Sequence, residues 1–174
     1  MARECLGCTF VEEIITYVEM TAPGDLVPSG PVDGVALEGI DASSPWIRPL
    51  CVEIGAAHGW RSVTRDDDGW AEWLADPRRR FWLVRAGPEV AGFVATRRGE
   101  GGDAQITTFG LRPSFIGRGL GGYALTLAVG EAWRLDDAVT RVWLRTSNLD
   151  HPAALTNYRR RGFRVYRTEV EPAR

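Results

Sequence analysis

Polar and apolar positions along this chain follow two periods, and together they predict a sheet with helices packed on it. Ile14-Ile15-Thr16-Tyr17-Val18-Glu19-Met20 is rich in β-branched residues and predicts a first strand. Thr21 to Gly34 carries three prolines and three glycines and reads as loop. Ser44-Pro45 has the form of an N-cap followed by proline at the first helical position, opening a helix that ends near Gly59. Asp66-Asp67-Asp68 caps a second, short helix through Trp70, Trp73 and Leu74, which Pro77 stops. Phe81 to Val84 and Val90 to Val94 are strands, and the turn at Ala86-Gly87-Pro88-Glu89 makes them a hairpin. Arg97 to Asp103 is a charged turn and Gln105 to Leu111 a further strand. From about Gly119 to Leu135 the period lengthens to that of a helix, with Leu120, Ala124, Leu127 and Ala128 on one face. Val139 to Leu144 is a near-continuous apolar strand suited to a buried parallel position. Asp150 to Arg161 reads as helix, and Phe163 to Thr168 as the last strand.

Antiparallel pairs early and strand–helix alternation late imply an α/β fold, a mixed sheet with helices on both faces. The 174 residues suit one domain. Residues 1–13 are expected to be a flexible segment, 14–80 to hold the first strand and the early helices, and 81–174 to form the core that binds a ligand.

Composition narrows the chemistry. All 21 basic side chains are arginine, so no lysine Schiff base and no P-loop lysine is available. Three cysteines fit a reducing cytoplasm. Cys5 and Cys8 form a lone CxxC, and with only Cys51, His58 and His151 to complete a ligand set, no metal site is expected. No apolar run reaches the length of a membrane span, and no secretory signal is visible. Residues 1–103 hold 10 Arg against 17 acidic residues, and residues 104–174 hold 11 Arg against 6. The basic part suits an anionic cofactor, and the acidic part suits a cationic acceptor. Arg78-Arg79-Arg80 and Arg159-Arg160-Arg161 are expected to be solvated faces, since a net charge of −2 argues against nucleic acid.

The most informative segment is Thr108-Phe109-Gly110-Leu111-Arg112-Pro113-Ser114-Phe115-Ile116-Gly117-Arg118-Gly119-Leu120-Gly121-Gly122. A strand enters a glycine-rich turn that opens a helix, so backbone N–H groups and the helix dipole can cradle a pyrophosphate, with Arg118 adding charge. Gly117, Gly119 and Gly122 satisfy GxGxxG, but a dinucleotide fold needs more strands than the remaining 52 residues allow.

The segment instead resembles the GNAT superfamily of acyl-CoA-dependent N-acyltransferases. Gly119 and Gly121 match the glycines of its [Q/R]xxGxG/A signature, with Ile116 where Gln or Arg is usual. Asp150-His151-Pro152-Ala153-Ala154-Leu155-Thr156-Asn157-Tyr158-Arg159-Arg160-Arg161-Gly162-Phe163 is similar to the family ending NxxAxxxYxxxGF, with His151 in place of Asn. The runs FGLxPxFIGRGLGG and LDHPAALxxYxxRGF look like a bacterial subgroup.

The resemblance implies a mostly antiparallel mixed sheet with a splayed central strand pair, and acetyl-CoA as acyl donor to an amine. It implies that Phe109, Gly110 and Leu111 hold the pantetheine arm and polarise the thioester, Gly110 marking a bulge. Gly117, Arg118, Gly119, Leu120, Gly121 and Gly122 would hold the pyrophosphate, and Tyr158 would protonate the departing thiolate. His151 would contact the cofactor or simply start its helix. Glu53, His58, Trp60, Arg61 and Trp70 fall in the acceptor region, although core packing explains the tryptophans equally well. The general base stays open among Glu53, His58, Asp103 and a water relay, because Gln105 occupies the position where some relatives carry a Glu. That missing carboxylate leaves an alternative, a module that binds acyl-CoA without turnover. A homodimer is compatible with the family.

Overall fold

The computed structural model describes residues 12–172. The Cys5–Cys8 pair lies outside them. Strand β1 (Glu12–Met20) begins before residue 14, so Glu12 and Glu13 belong to the sheet and not to a flexible tail. The elements that follow are β2 (Val35–Ile40), α1 (Ile47–Gly55), α2 (Arg61–Thr64), α3 (Asp67–Ala75), β3 (Arg79–Ala86), β4 (Glu89–Arg98), β5 (Asp103–Leu111), α4 (Gly121–Trp133), β6 (Arg141–Ser147), α5 (Ala154–Arg160) and β7 (Arg164–Pro172). They form one seven-stranded sheet in the order β2-β3-β4-β5-β6-β1-β7.

Every neighbouring pair is antiparallel except β5–β6, which runs parallel and is joined only at Asp103–Gln105 against Arg141–Trp143. Beyond Gln105 the two strands separate. β5 continues along β4, and β6 continues along β1. A register shift opposite Ala95/Thr96 leaves Thr107 as an extra residue in β5. Its hydroxyl donates to the Ala95 carbonyl (3.2 Å) and accepts from Arg79 Nη1 (3.4 Å), so the irregularity is satisfied in place. The bulge is therefore at Thr107; Gly110 lies in register opposite Phe93.

Side-chain alternation on the strands sorts the core onto two faces. Phe81, Leu83, Phe93 and Ala95 pack beneath Ile47, Leu50, Ile54 and Trp70 of α1 and α3. Val84, Ala91 and Val94 face Ala124 and Ala128 of α4 on the opposite side. Val18, Met20, Ala104, Ile106, Val142 and Leu144 complete that side against Leu125 and Val129 of α4 and Tyr158 of α5. Small residues on α4 bring its axis close to the sheet.

Several boundaries differ from the sequence pattern. β2 and the one-turn α2 do not stand out in the sequence pattern: Glu38 and Gly39 interrupt the apolar run of β2, and α2 carries one apolar residue, Val63. α1 begins at Ile47, and Ser44 acts only through a long 3.4 Å bond from the Trp46 N–H. α5 begins four residues after Asp150, because that carboxylate turns back to the end of β6 and does not cap the helix. β6 runs to Ser147, and Val139 packs on the core without joining the strand. Arg78 and Arg80 are exposed, as expected of a solvated face, and only Arg79 is half-buried; Asp76 accepts from Arg78 (2.9 Å) and Arg97 (2.7 Å), and Arg80 donates to the Pro77 carbonyl. Those two hydrogen bonds, with burial opposing them, hold the Asp76 carboxyl well below the usual range.

Gly162, of the terminal Gly-Phe pair, closes α5 with φ of +97° where the loop at Asp25 crosses the chain. The Val27 N–H donates to the Arg161 carbonyl (2.9 Å) at that crossing. A methyl at 162 would meet the Asp25 carbonyl oxygen as well as an unfavourable φ. Gly162→Ala should therefore destabilise the fold by more than the ~1–2 kcal/mol of left-handed backbone alone, read as a lowered denaturant midpoint with secondary structure unchanged below the transition.

Candidate active site

Separation of β5 from β6 opens the sheet, and two clefts meet in the gap. The first, of about 390 Å³, is lined by the end of β5, the glycine loop, the N-terminus of α4, and α5. The second, of about 210 Å³, lies against β1, α2 and the middle of β5 and β6. His58, Trp60, Phe109, Asp150 and Tyr158 line both.

The glycine loop leads from a single turn at Pro113–Phe115 into α4. Gly117 and Gly119 adopt φ of +81° and +77°, and nothing lies within 4 Å of where a side chain would begin. The loop backbone is therefore open to a ligand. No side chain caps α4 and no acidic residue stands in its first turn, so the positive end of a 13-residue helix faces this cleft. Asn157 Nδ2 donates to the Gly121 carbonyl (3.2 Å) and ties α5 to the helix start. Arg161 reaches over Gly122, its Nη1 2.8 Å from where a Cβ there would sit. Among the described residues its buried Nε has no hydrogen-bond partner. Arg160 lines the same cleft. An uncapped helix end and an open glycine backbone, with Arg160 on the cleft wall, fit a phosphate-bearing molecule.

Where β5 leaves β6, the backbone from Thr107 to Leu111 has an edge without a strand partner. Gly110 is required there because a Cβ would sit 2.5 Å from Ile54 Cγ2. Tyr158 projects from α5 between the clefts. It is 7% exposed, and its ring meets Phe163 edge-on at 6.1 Å. Burial, and then the nearby Asp150 charge, pushes its hydroxyl well above the ordinary tyrosine range, so it keeps its proton at neutral pH.

A polar latch joins the two sides. Asp150 accepts from Trp60 Nε1 (2.9 Å), the Thr146 hydroxyl (2.7 Å) and the Ser147 N–H (2.9 Å). His58 Nδ1 lies 3.1 Å from the Leu149 carbonyl. A carbonyl only accepts, so in the neutral ring Nδ1 carries the proton and Nε2 keeps its lone pair. Cys51 also lines the second cleft, but burial pushes its thiol up to about 12.

The residues expected from sequence divide accordingly. Phe109, Gly110, Leu111, Gly117, Gly119, Leu120, Gly121, Gly122, His151 and Tyr158 line the larger cleft, with His58 and Trp60. Arg118 does not: its guanidinium lies 4.7 Å over the Phe115 ring, whereas Arg160 lines the cleft and Arg161 approaches Gly122 without lining it. Glu53 lies outside both clefts, held by Arg112 Nε at 3.0 Å. Trp70 is core. Asp103 pairs with Arg141 at the far end of β5, and Gln105 lines neither cleft. His151 Nδ1 accepts from the Ala153 N–H (3.2 Å), so it shapes the turn before α5 while lining the cleft. Sequence reasoning missed Asp150, Asn157, Glu13, Arg65 and Thr107; nothing local distinguishes them, since chain crossings bring them to the site.

Among the described residues no three potential ligands cluster as a metal site, and no helix is long and apolar enough to cross a membrane. No curated protein matches the chain. The fold is similar to a GCN5-related N-acetyltransferase from Kribbella flavida, at 21% identity and TM-score 0.67 over 90% of this chain and 56% of that one. It is similar to a Bacillus subtilis acetyltransferase in complex with CoA, at 19% identity and TM-score 0.60, over 76% of this chain and 78% of that one. An acetyltransferase from Thermus thermophilus matches at 22% identity and TM-score 0.57, over 80% of this chain and 97% of that one. The chain spans about half the length of the Kribbella protein and of a similar one from Sphaerobacter thermophilus. The model of the acetyltransferase (GNAT) family matches residues 48–163, about two thirds of the sequence, and takes in the β5 edge, the glycine loop and the Tyr158 helix: the chain belongs to the GNAT family of acetyltransferases.

Proposed function

We propose that the protein moves an acetyl group from acetyl-CoA to a primary amine, by direct attack with both substrates bound. The observation that carries this reading is the meeting of two clefts at Tyr158, one lined by the glycine loop and one by acceptor-side residues. Acetyl-CoA would lie in the larger, its pyrophosphate on the backbone of Gly117 to Gly122 with Arg160 and Arg161 beside it. The unpaired edge of β5 at Phe109 to Leu111 would hold and polarise the thioester carbonyl, as preorganised N–H donors do for developing oxyanions. The Bacillus subtilis relative, solved with CoA, supports this donor.

The amine enters from the smaller cleft, where an ammonium must first lose a proton. Of the candidate bases, Glu53 and Asp103 are ion-paired outside the clefts, whereas His58 lines both and presents Nε2 with a free lone pair. His58 takes the proton, directly or through one water. The amine nitrogen then bonds to the acetyl carbon, the carbon–sulfur bond breaks, Tyr158 gives its hydroxyl proton to the sulfur, and the proton shed by the new amide nitrogen returns to the Tyr158 oxygen. Cys51 keeps its proton and does not serve as an acyl carrier.

Tyr158→Phe should lower kcat by about 10²–10⁴-fold, the usual worth of a general acid, while calorimetry finds CoA binding unchanged. The hydroxyl is held above its ordinary value, so it keeps its proton as pH rises through about 10. Its burial supports the fold below that pH, and the support is lost above it as the unfolded chain ionises. Wild-type turnover should therefore show no alkaline loss from this group below about pH 10; a limb near neutrality that vanishes in Tyr158→Phe would count against the assignment. His58→Ala should lose turnover and recover part of it with added imidazole; full activity without rescue excludes His58 as the base. Cys51→Ala should retain turnover and cost about 1 kcal/mol of stability in thermal unfolding.

A further inference from the structure

The acceptor-side cleft is not the acidic pocket that the charge asymmetry of the sequence suggests. Arg61, Arg65 and Arg145 line it, with Glu13 and Asp150. Asp150 is already engaged by three donors. Arg145 is held on the sheet face, where it acts on Tyr17 and Glu169. Two cations remain. Arg65 is half-buried, its guanidinium 4.6 Å from the Trp70 ring and 5.0 Å from that of Trp73. Arg61 stands one helical turn before it, and its charge disfavours that of Arg65. Among the described residues neither is ion-paired with a carboxylate. The neighbouring cations are treated otherwise: Arg78 and Arg97 converge on Asp76, Arg112 is held by Glu53, and Arg141 by Glu19 and Asp103.

A partly desolvated guanidinium without a counter-charge is costly unless something anionic shares its site. The two tryptophan rings hold the Arg65 guanidinium at the cleft, and a planar guanidinium suits two parallel bonds to a carboxylate or phosphate. The same cleft holds Glu13, 9% exposed and, among the described residues, without a hydrogen-bond or ion-pair partner. Both signs of charge are thus offered around a wall that includes Ile15, Trp60, Ile106 and Phe109.

We propose that the acceptor is a small amine that also carries an anionic group, a carboxylate or a phosphate, bound by Arg65 and Arg61, with Glu13 facing the amine-bearing end. The inference rests on the acetyl-transfer reading and deepens it. An amino acid and an amino phosphomonoester satisfy this chemistry; a polyamine does not.

The test measures thiol release from acetyl-CoA by the full chain on matched amines: phenylalanine against phenylalaninamide, phosphoethanolamine against ethanolamine, and spermidine. At least one anionic member should exceed its neutral partner in kcat/KM by roughly tenfold to a hundredfold, the worth of one charge-assisted hydrogen bond. Which pair shows the preference identifies carboxylate or phosphate. Arg65→Met, which keeps the stem against the tryptophans, and Arg61→Gln, at an exposed position, should each shrink that ratio mainly by raising KM. Equal turnover within both pairs, or preference for spermidine, overturns the anionic acceptor and leaves acetyl transfer standing. No turnover of any amine, with CoA still bound in calorimetry, overturns acetyl transfer and this inference with it.

Discussion

The separation of β5 from β6 is the constraint on which the rest of the structure depends. The two strands share three residue pairs and then part, each drawn away by a longer antiparallel pairing. Arg141 stands at the root of the fork, where Nε meets Glu19 of β1 (2.6 Å) and Nη1 meets Asp103 of β5 (3.0 Å). One side chain thus holds three strands together just before they diverge. At the other end Thr107 occupies the register shift and keeps β5 on β4. An uninterrupted sheet would pair the N–H and C=O groups of residues 107–111 and leave no opening between the clefts. Here that edge is given up, and it becomes the surface against which an acyl group can lie.

The opening has to be held from both sides, and the latch around Asp150 does so. Trp60 comes from the loop before α2, Thr146 and Ser147 from β6, and Asp150 from the turn before α5. Thr146 and Ser147 fix the Asp150 carboxylate at the end of β6, and Trp60 ties the start of α2 to it. The His58 bond to Leu149 adds a second tie across the same gap and sets the tautomer that exposes Nε2. The groups proposed to give and take protons are therefore positioned by one short turn, residues 146–151.

Much of this was legible locally. Repeated short-range signals marked β1, the β3–β4 hairpin, β5, α4 and the last strand. The glycine loop was legible because positive φ and an open backbone demand glycine at Gly117 and Gly119. Gly162 was legible as a motif, and its physical cause is the crossing at Asp25. By contrast Arg118 looked like the natural phosphate contact from its place in the loop, yet it folds over Phe115, and Arg160 and Arg161 reach the helix end from α5. Glu53 looked available, yet Arg112 lies within reach across the fold.

By itself the sequence determined the classes of element and the glycine-rich turn at the start of α4, because backbone conformation and local spacing encode those features, while Tyr158 stood out only through the resemblance of its segment to the family ending. Only the tertiary structure decided which charges are free. Whether an arginine is neutralised, stacked on a ring or left facing a cleft depends on carboxylates and aromatic rings that are often dozens of residues away. The acidic surplus of the first 103 residues is therefore taken up largely in ion pairs and on exposed surface, while Arg61 and Arg65 line the smaller cleft. Spacing along a chain carries no information about pairings such as Arg112 with Glu53 or Arg141 with Glu19, since they form only when the sheet brings distant strands and helices together.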